Sequence, residues 1–319
     1  MNLSQDIIQK FREEYLTSLP PIIDRASTVR LSHRWDGLFQ CSITPRAELI
    51  SPDLLSSMLD LYQVPSFEQL LPKYLGEDAQ WGGIVSPRVA NITREPIAYV
   101  EQWFVSDPGD LKTLIEAIKT RWPFPFAAIW IPLSPRHRCA SILPGWESAR
   151  LAECAYVADW GCTRPDVPSV TKFNQFSCAL NQGLDEWWPD LFQELNRDIS
   201  ASKADSEISS LKNSLESCLR TGGILTLHDV RGMAAVISWA RGSDAELLIP
   251  QCWNIPCIFV RPDLRGQGLA KHLYALASQN MLLEENPFMC ARVHGENQAS
   301  CKALESVGAE RVMEIFTVE

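Results

Sequence analysis

The chain has no Cys-x-x-Cys pair, although it carries ten cysteines in 319 residues. Without that spacing, neither a structural zinc site nor a dithiol redox motif is expected, and no metal is. Positive charge is also scarce. Lys and Arg number 29 against 39 Asp and Glu, a formal charge of −10. Broad nucleic-acid binding needs a basic face to displace counterions, so that class is set aside. A neutral or cationic small substrate suits the balance better. No apolar run approaches the ~18 residues that a membrane span needs. Residues Met1 to Lys10 lack a basic segment followed by an apolar core, so no secretory leader and a cytoplasmic location are expected. There is no Gly-Lys-Ser/Thr and no Gly-x-Gly before residue 266, which leaves the P-loop unsupported and any glycine turn confined to the C-terminal half.

What is present fits a globular α/β protein. The length exceeds the usual single domain, and 46% hydrophobic residues suffice for sizeable cores. Two units are expected, residues 1–160 and 161–319, with Asp159 to Pro168 as the connection because of its Gly and Pro content. Cysteines such as Cys257 and Cys290 sit in apolar surroundings and read as small core residues of a reducing compartment.

The most informative stretch is Arg261 to Ala270, Arg-Pro-Asp-Leu-Arg-Gly-Gln-Gly-Leu-Ala. An apolar run, Ile255 to Val260, precedes it as a strand, and Leu269 to Leu283 follows at helical spacing. Gly266 and Gly268 let the backbone approach a ligand closely. The unpaired N–H groups of a helix start, together with its dipole, favour an anion. Arg261 and Arg265 add charge there. The bland alternative is a strand–helix turn whose glycines only ease packing. The dinucleotide fingerprint fails because residue 271 is Lys rather than Gly.

Arg265-Gly-Gln-Gly268-Leu-Ala270 has the form Arg/Gln-x-x-Gly-x-Gly/Ala and resembles the acyl-CoA pyrophosphate loop of the GNAT acyltransferase superfamily. A second strand, Phe288 to Val293, leads to Asn297, Ser300, Ala303, Leu304 and Gly308, similar to the second part of that family's cofactor motif. The resemblance covers Gly222 to Glu319, and more loosely from Val167. It implies a mixed sheet flanked by helices in the C-terminal half. The order would be two helices (Leu184 to Ile199, Glu207 to Arg220), three strands (Ile224 to His228, Met233 to Trp239, Ile255 to Val260), helix, strand, helix, strand. A strand near Ser169 to Phe176 would precede them. It further implies acetyl-CoA or a related acyl-CoA as cofactor. In the family the strand before the phosphate turn splays from its later neighbour, so Ile258, Phe259 and Val260 would pair with the pantetheine arm. Leu264 to Ala270, with Arg265, Gly266, Gln267, Gly268, Leu269 and Ala270, would hold the pyrophosphate, and Asn297 would meet the arm from the other side. Asn297 also suits a helix N-cap.

The expected activity is acyl transfer to a small-molecule amine or amino-acid-like acceptor. That reaction needs a base for the attacking ammonium and an acid for the leaving thiolate. Many family members carry a Tyr seven residues after the motif Asn; here that position is Leu304, which donates no proton. No Tyr follows Tyr274, itself read as packing or solvent-facing. The candidates are therefore His294 and Glu296 just beyond the strand, His228 and Asp229 at the end of an earlier strand, and Ser300 or Cys301 as polar partners. His294 comes first, since imidazole titrates near neutral pH. Other chemistry of the same fold (carrier-bound acyl transfer, thioester decarboxylation) and a non-catalytic acyl-CoA-binding regulator stay open. So does the oligomeric state.

Residues 1–160 carry no catalytic signature. Asp6 to Leu16, Leu54 to Leu61 and Leu111 to Lys119 read as helices, Tyr99 to Val105 and Phe126 to Ile131 as strands. The region is read either as a degenerate repeat of the same fold or as an unrelated α/β domain that recognises the acceptor. Arg136-His137-Arg138 could bind an anion or simply be solvated. Trp160, Trp187, Trp188 and Trp253 could pack in the core or line an acceptor cleft.

Overall fold

A computed structural model describes residues 3–19, 21–25, 35–40, 52–77, 80–89, 95–107, 109–134, 149–166, 173–181, 183–198, 204–244, 247, 249–281, 283 and 285–318. Within them the strands are β1 (Lys73–Glu77), β2 (Trp81–Val89), β3 (Pro96–Val105), β4 (Ala128–Leu133), β5 (Arg150–Asp159), β6 (Ser177–Leu180), β7 (Gly222–Asp229), β8 (Gly232–Asp244), β9 (Ile249–Val260), β10 (Phe288–His294) and β11 (Glu310–Val318). The helices used below are α1 (Gln5–Ser18), α2 (Pro21–Arg25), α3 (Pro52–Tyr62), α4 (Asp110–Arg121), α5 (Leu184–Asp198), α6 (Ala204–Thr221), α7 (Leu269–Asn280) and α8 (Gln298–Glu305). No helix among the described residues is long and apolar enough to cross a membrane.

Alternation along the strands decides which helix covers which face. On β7, Leu225 and Leu227 point to one side and join Leu269 and Leu273 of α7 and Cys301 and Leu304 of α8. Ile224 points to the other side and joins Leu184 and Leu191 of α5 and Leu215 and Cys218 of α6. The N-terminal strands repeat this. Ala98, Val100, Ile129 and Ile131 pack under Leu111, Leu114 and Ile118 of α4, whereas Ile84 and Phe104 meet Phe11 of α1 on the far side. The mixed sheet flanked by helices expected of the C-terminal half is what the chain forms, and in the expected order of elements.

All the strands lie in one sheet, ordered β1-β2-β3-β4-β11-β5-β10-β9-β8-β7-β6. Each half contributes an antiparallel meander that ends in a parallel pair joined through a helix: β3 with β4 through α4, β9 with β10 through α7. At the centre the halves exchange their last strands. β11 lies beside β4, β5 lies beside β10, and β5 and β11 pair antiparallel with each other.

Three local expectations change. The early strand is Ser177–Leu180; residues 169–172 lie outside the described residues, and Phe173 begins a turn. β9 starts at Ile249, six residues before its apolar run, because Cys252 and Trp253 are buried behind a polar-looking sequence. The stretch read as a connection begins in the core. Asp159 closes β5, Trp160 is buried with its N–H on the Pro287 carbonyl (2.9 Å), and only the part beyond Thr163 leaves this turn. Arg136, His137 and Arg138 lie outside the described residues.

Candidate functional site

The site begins with a flaw in β9. Ser238 pairs with Cys257 and Ala240 with Asn254, so β9 spends one residue more than β8 over the same span, a bulge at Ile255–Pro256. Pro256 has no N–H to offer a neighbouring strand. On the other side, β9 and β10 pair in parallel only at Trp253–Met289 and Asn254–Cys290. Beyond that point the strands part, and Ile255 to Phe259 on β9 face Ala291 to His294 on β10 across a cavity of about 240 Å3. The corresponding divergence of β3 from β4 is bridged, because the Trp103 indole N–H donates to the Pro132 carbonyl at 2.9 Å.

After β9 comes a short 3-10 turn, Pro262–Leu264. Arg261 fixes it from within. Its guanidinium donates to Asp229 and Asp263 and to the Met233 carbonyl (3.1 Å), all while 8% exposed. Four of its five N–H donors are spent on these acceptors, so the charge that Arg261 adds at the turn acts from beneath it. The same clamp holds the Asp229 and Asp263 carboxyls below the usual range, with Arg261 hydrogen bonds the largest cause in each. Asp229 is therefore a poor proton acceptor. Gly266 and Gly268 follow with φ of +78° and +87°, the left-handed region that side chains disfavour, and Gly268 caps α7. Gly308 ends α8 with φ +81°.

A second, larger cavity of about 660 Å3 opens over this turn. Of the proposed cofactor residues, Ile258, Phe259, Val260, Arg265, Gly266, Gly268, Leu269, Ala270 and Asn297 line it. Gln267 does not; its amide donates to the Asp263 carbonyl at 3.4 Å. Ile258, Phe259, Asn297 and Ser300 border both cavities, so the cavity over the phosphate turn and the strand gap adjoin along that wall. Asn297 has the capping role too, accepting from the Ser300 N–H at 3.1 Å through Oδ1.

The catalytic candidates scatter. His294 lines the gap, and its Nδ1 accepts from the Glu296 N–H at 3.4 Å, which leaves Nε2 to carry the proton of the neutral ring. Glu296 is exposed and borders neither cavity. His228 sits on β7, two strands from β9, with Nε2 3.0 Å from the Thr226 hydroxyl. Cys301 is buried in the core with Leu304, away from the cleft lining. Ser300 does reach it.

Sequence reasoning missed Tyr274. It is 1% exposed rather than solvent-facing, and it lines the gap with Cys257 and Ala291. Burial raises its pKa and pushes the Cys257 thiol up to about 12, so both keep their protons at neutral pH. Lys271 and Lys302, on the rim of the larger cavity, were missed as well. The helical phase of Tyr274 relative to Leu269 and Leu273 placed it inward; nothing in the sequence said that the strands beneath would part. Of the tryptophans, Trp160, Trp187 and Trp253 are core residues with at most 3% exposure, and none lines the cleft.

No family model matches the chain, and no curated protein does. Among solved structures it is similar to an acetyltransferase of the GNAT family from Colwellia psychrerythraea, at 10% identity over 84% of this chain and 94% of that one, TM-score 0.49. It is similar to a tandem GNAT protein from the clavulanic acid biosynthesis pathway, at 14% identity over 84% of this chain and 95% of that one, TM-score 0.42. A Drosophila protein is similar at 14% identity over 99% of this chain and 96% of its own, TM-score 0.46.

Proposed function

We propose that the chain is an N-acyltransferase that takes an acetyl or related acyl group from acyl-CoA to a small amine. One observation carries the reading: the adjoining cavities, one over the glycine turn and one in the gap between β9 and β10, with a shared wall. An acyl-CoA has the matching shape, with phosphates at one end, a thin amide-bearing arm, and the reactive thioester at the tip. The fit extends to chemistry. The turn offers unpaired N–H groups at a helix start, and among the described residues the gap offers strand edges that lack a ladder partner and no carboxylate lines the larger cavity.

When bound, the acyl-CoA supplies an activated acyl carbon attached to a good leaving group. The chain supplies position and proton handling. Gly266, Gly268, Leu269 and Ala270 hold the phosphates through their N–H groups with the Arg265 side chain beside them, Ile258 to Val260 align the arm, and Asn297 borders it from α8. His294, lining the gap, accepts the proton of the incoming ammonium on its unprotonated ring nitrogen, Nδ1, giving up the 3.4 Å contact from the Glu296 N–H, so that the amine lone pair attacks the acyl carbon. As the carbon–sulfur bond breaks, the thiolate needs a proton. Leu304 offers none, whereas Tyr274 lines the same gap and burial keeps its phenol protonated. Orienting both reactants in a closed gap supplies the rest of the acceleration.

Calorimetric titration with acetyl-CoA, then release of free CoA with a panel of amines, tests the reading. Binding together with amine-dependent CoA release is expected. No binding at millimolar acetyl-CoA sinks the assignment; binding without release by any amine leaves a regulator, and CO2 release from malonyl-CoA without amine marks decarboxylation.

A further inference from the structure

The larger cavity has a charge pattern at odds with the rest of the chain. In a protein of formal charge −10, its lining among the described residues includes Arg265, Lys271 and Lys302 and no Asp or Glu. Lys271 stands third in α7, where a cation opposes the positive end of the helix dipole. That turn holds no acid, nor does the first turn of α8, whereas α1, α4 and α5 each start with at least one. A local rule broken without a compensating contact points to a ligand. Lys302 lines the same cavity from α8, and neither ammonium forms an ion pair among the described residues. The turn N–H groups and Arg265 suffice for a pyrophosphate, so the two lysines are left for a further anion.

We propose that Lys271 and Lys302 together recognise the 3′-phosphate of the CoA nucleotide. The inference rests on the acyl-CoA reading and adds to it the form of donor. A phosphate there carries about two negative charges near neutral pH and three acceptor oxygens, which suit two point cations lining one cavity from two helices. The site then selects the free, 3′-phosphorylated nucleotide. It discriminates against dephospho-CoA and against an acyl group on a carrier protein, whose phosphopantetheine has no nucleotide at all.

The test titrates CoA, dephospho-CoA and 4′-phosphopantetheine into the native chain and into Lys271→Gln/Lys302→Gln at about 50 mM salt. Both lysines are exposed, and equal melting temperatures without ligand will show that the double variant is folded. The native chain is expected to prefer CoA to dephospho-CoA by about tenfold or more, with phosphopantetheine weaker still, as charge-assisted contacts to one phosphate imply. The double variant is expected to lose most of that preference by weakening CoA alone. A native chain that binds the two nucleotides equally, or a variant that weakens both alike, overturns the 3′-phosphate assignment and leaves the acyl-CoA reading standing. Failure of all three ligands to bind overturns both.

Discussion

Three glycines share one backbone conformation and differ only in what lies beside them. Gly266, Gly268 and Gly308 have φ of +78°, +87° and +81°. Alanine at any of them must adopt the left-handed region, at a cost of about 1–2 kcal/mol each. At Gly266 and Gly308 an added Cβ meets nothing within 4 Å, so conformational strain is the whole expected penalty. Each variant should therefore melt a few degrees lower, at about 2–4 °C per kcal/mol. Gly266 and Gly268 line the cleft, and Gly308 does not. Stabilisation by a ligand follows RT ln(1 + [L]/Kd), about 2.7 kcal/mol at a hundredfold excess over Kd. If the new methyl group holds the phosphates off and weakens binding tenfold, the same concentration gives only about 1.4 kcal/mol. Melting curves with and without acetyl-CoA should therefore show all three variants destabilised, but the ligand-induced rise roughly halved only at 266 and 268. An undiminished rise at both refutes close approach of the ligand to this turn. A diminished rise at Gly308→Ala would show that strain alone disturbs the cleft.

Other outcomes follow from the same geometry. His294→Ala should lower kcat/KM by about 100-fold or more while CoA affinity holds; an unchanged rate removes His294 from the mechanism. Tyr274→Phe keeps the ring in the core, so the fold should survive with kcat reduced at least about tenfold; parity with the native rate would return the residue to packing. Arg261→Ala leaves the Asp229 carboxylate poorly solvated beside an emptied clamp and should cost about 3–5 kcal/mol in urea unfolding. Because the Asp229 pKa is depressed by folding, its contribution is present above the unfolded value of about 3.9 and is lost as pH falls through the lower folded value. The stability gap between native chain and Asp229→Asn should accordingly be wide at pH 7 and narrow at pH 3, and a gap independent of pH contradicts the clamp.

The C-terminal half was legible because local chemistry and tertiary need agree there. Leu269 and Leu273 sit at helical spacing and are buried at that spacing, and Gly268 stands where the helix must start. Legibility failed where distant contacts decided the matter. Cys252 and Trp253 look unlike a strand interior beside Pro250 and Gln251, yet β8 and β10 bury them. Trp160, amid Gly and Pro, is pulled inward by hydrogen bonds to Pro287 and Val307, residues far along the chain. Within the site, glycines and Asn297 announce themselves by residue type. Tyr274, Lys271 and Lys302 do not, because an inward Tyr and a surface Lys are ordinary until a cavity lies against them.

The exchange of β5 and β11 has a kinetic consequence. β4 finds its neighbour in β11, whose residues follow some 180 positions later, so the N-terminal strands present a bare edge until that segment arrives. Loop closure over such a span precedes the contacts that reward it, which makes this part of the sheet slow to complete. The cleft depends on that last event only indirectly, since β10 is backed by β5 and β5 by β11. A chain severed between residues 166 and 173 would thus leave two fragments with open seams, inclined to find each other again or to aggregate through them.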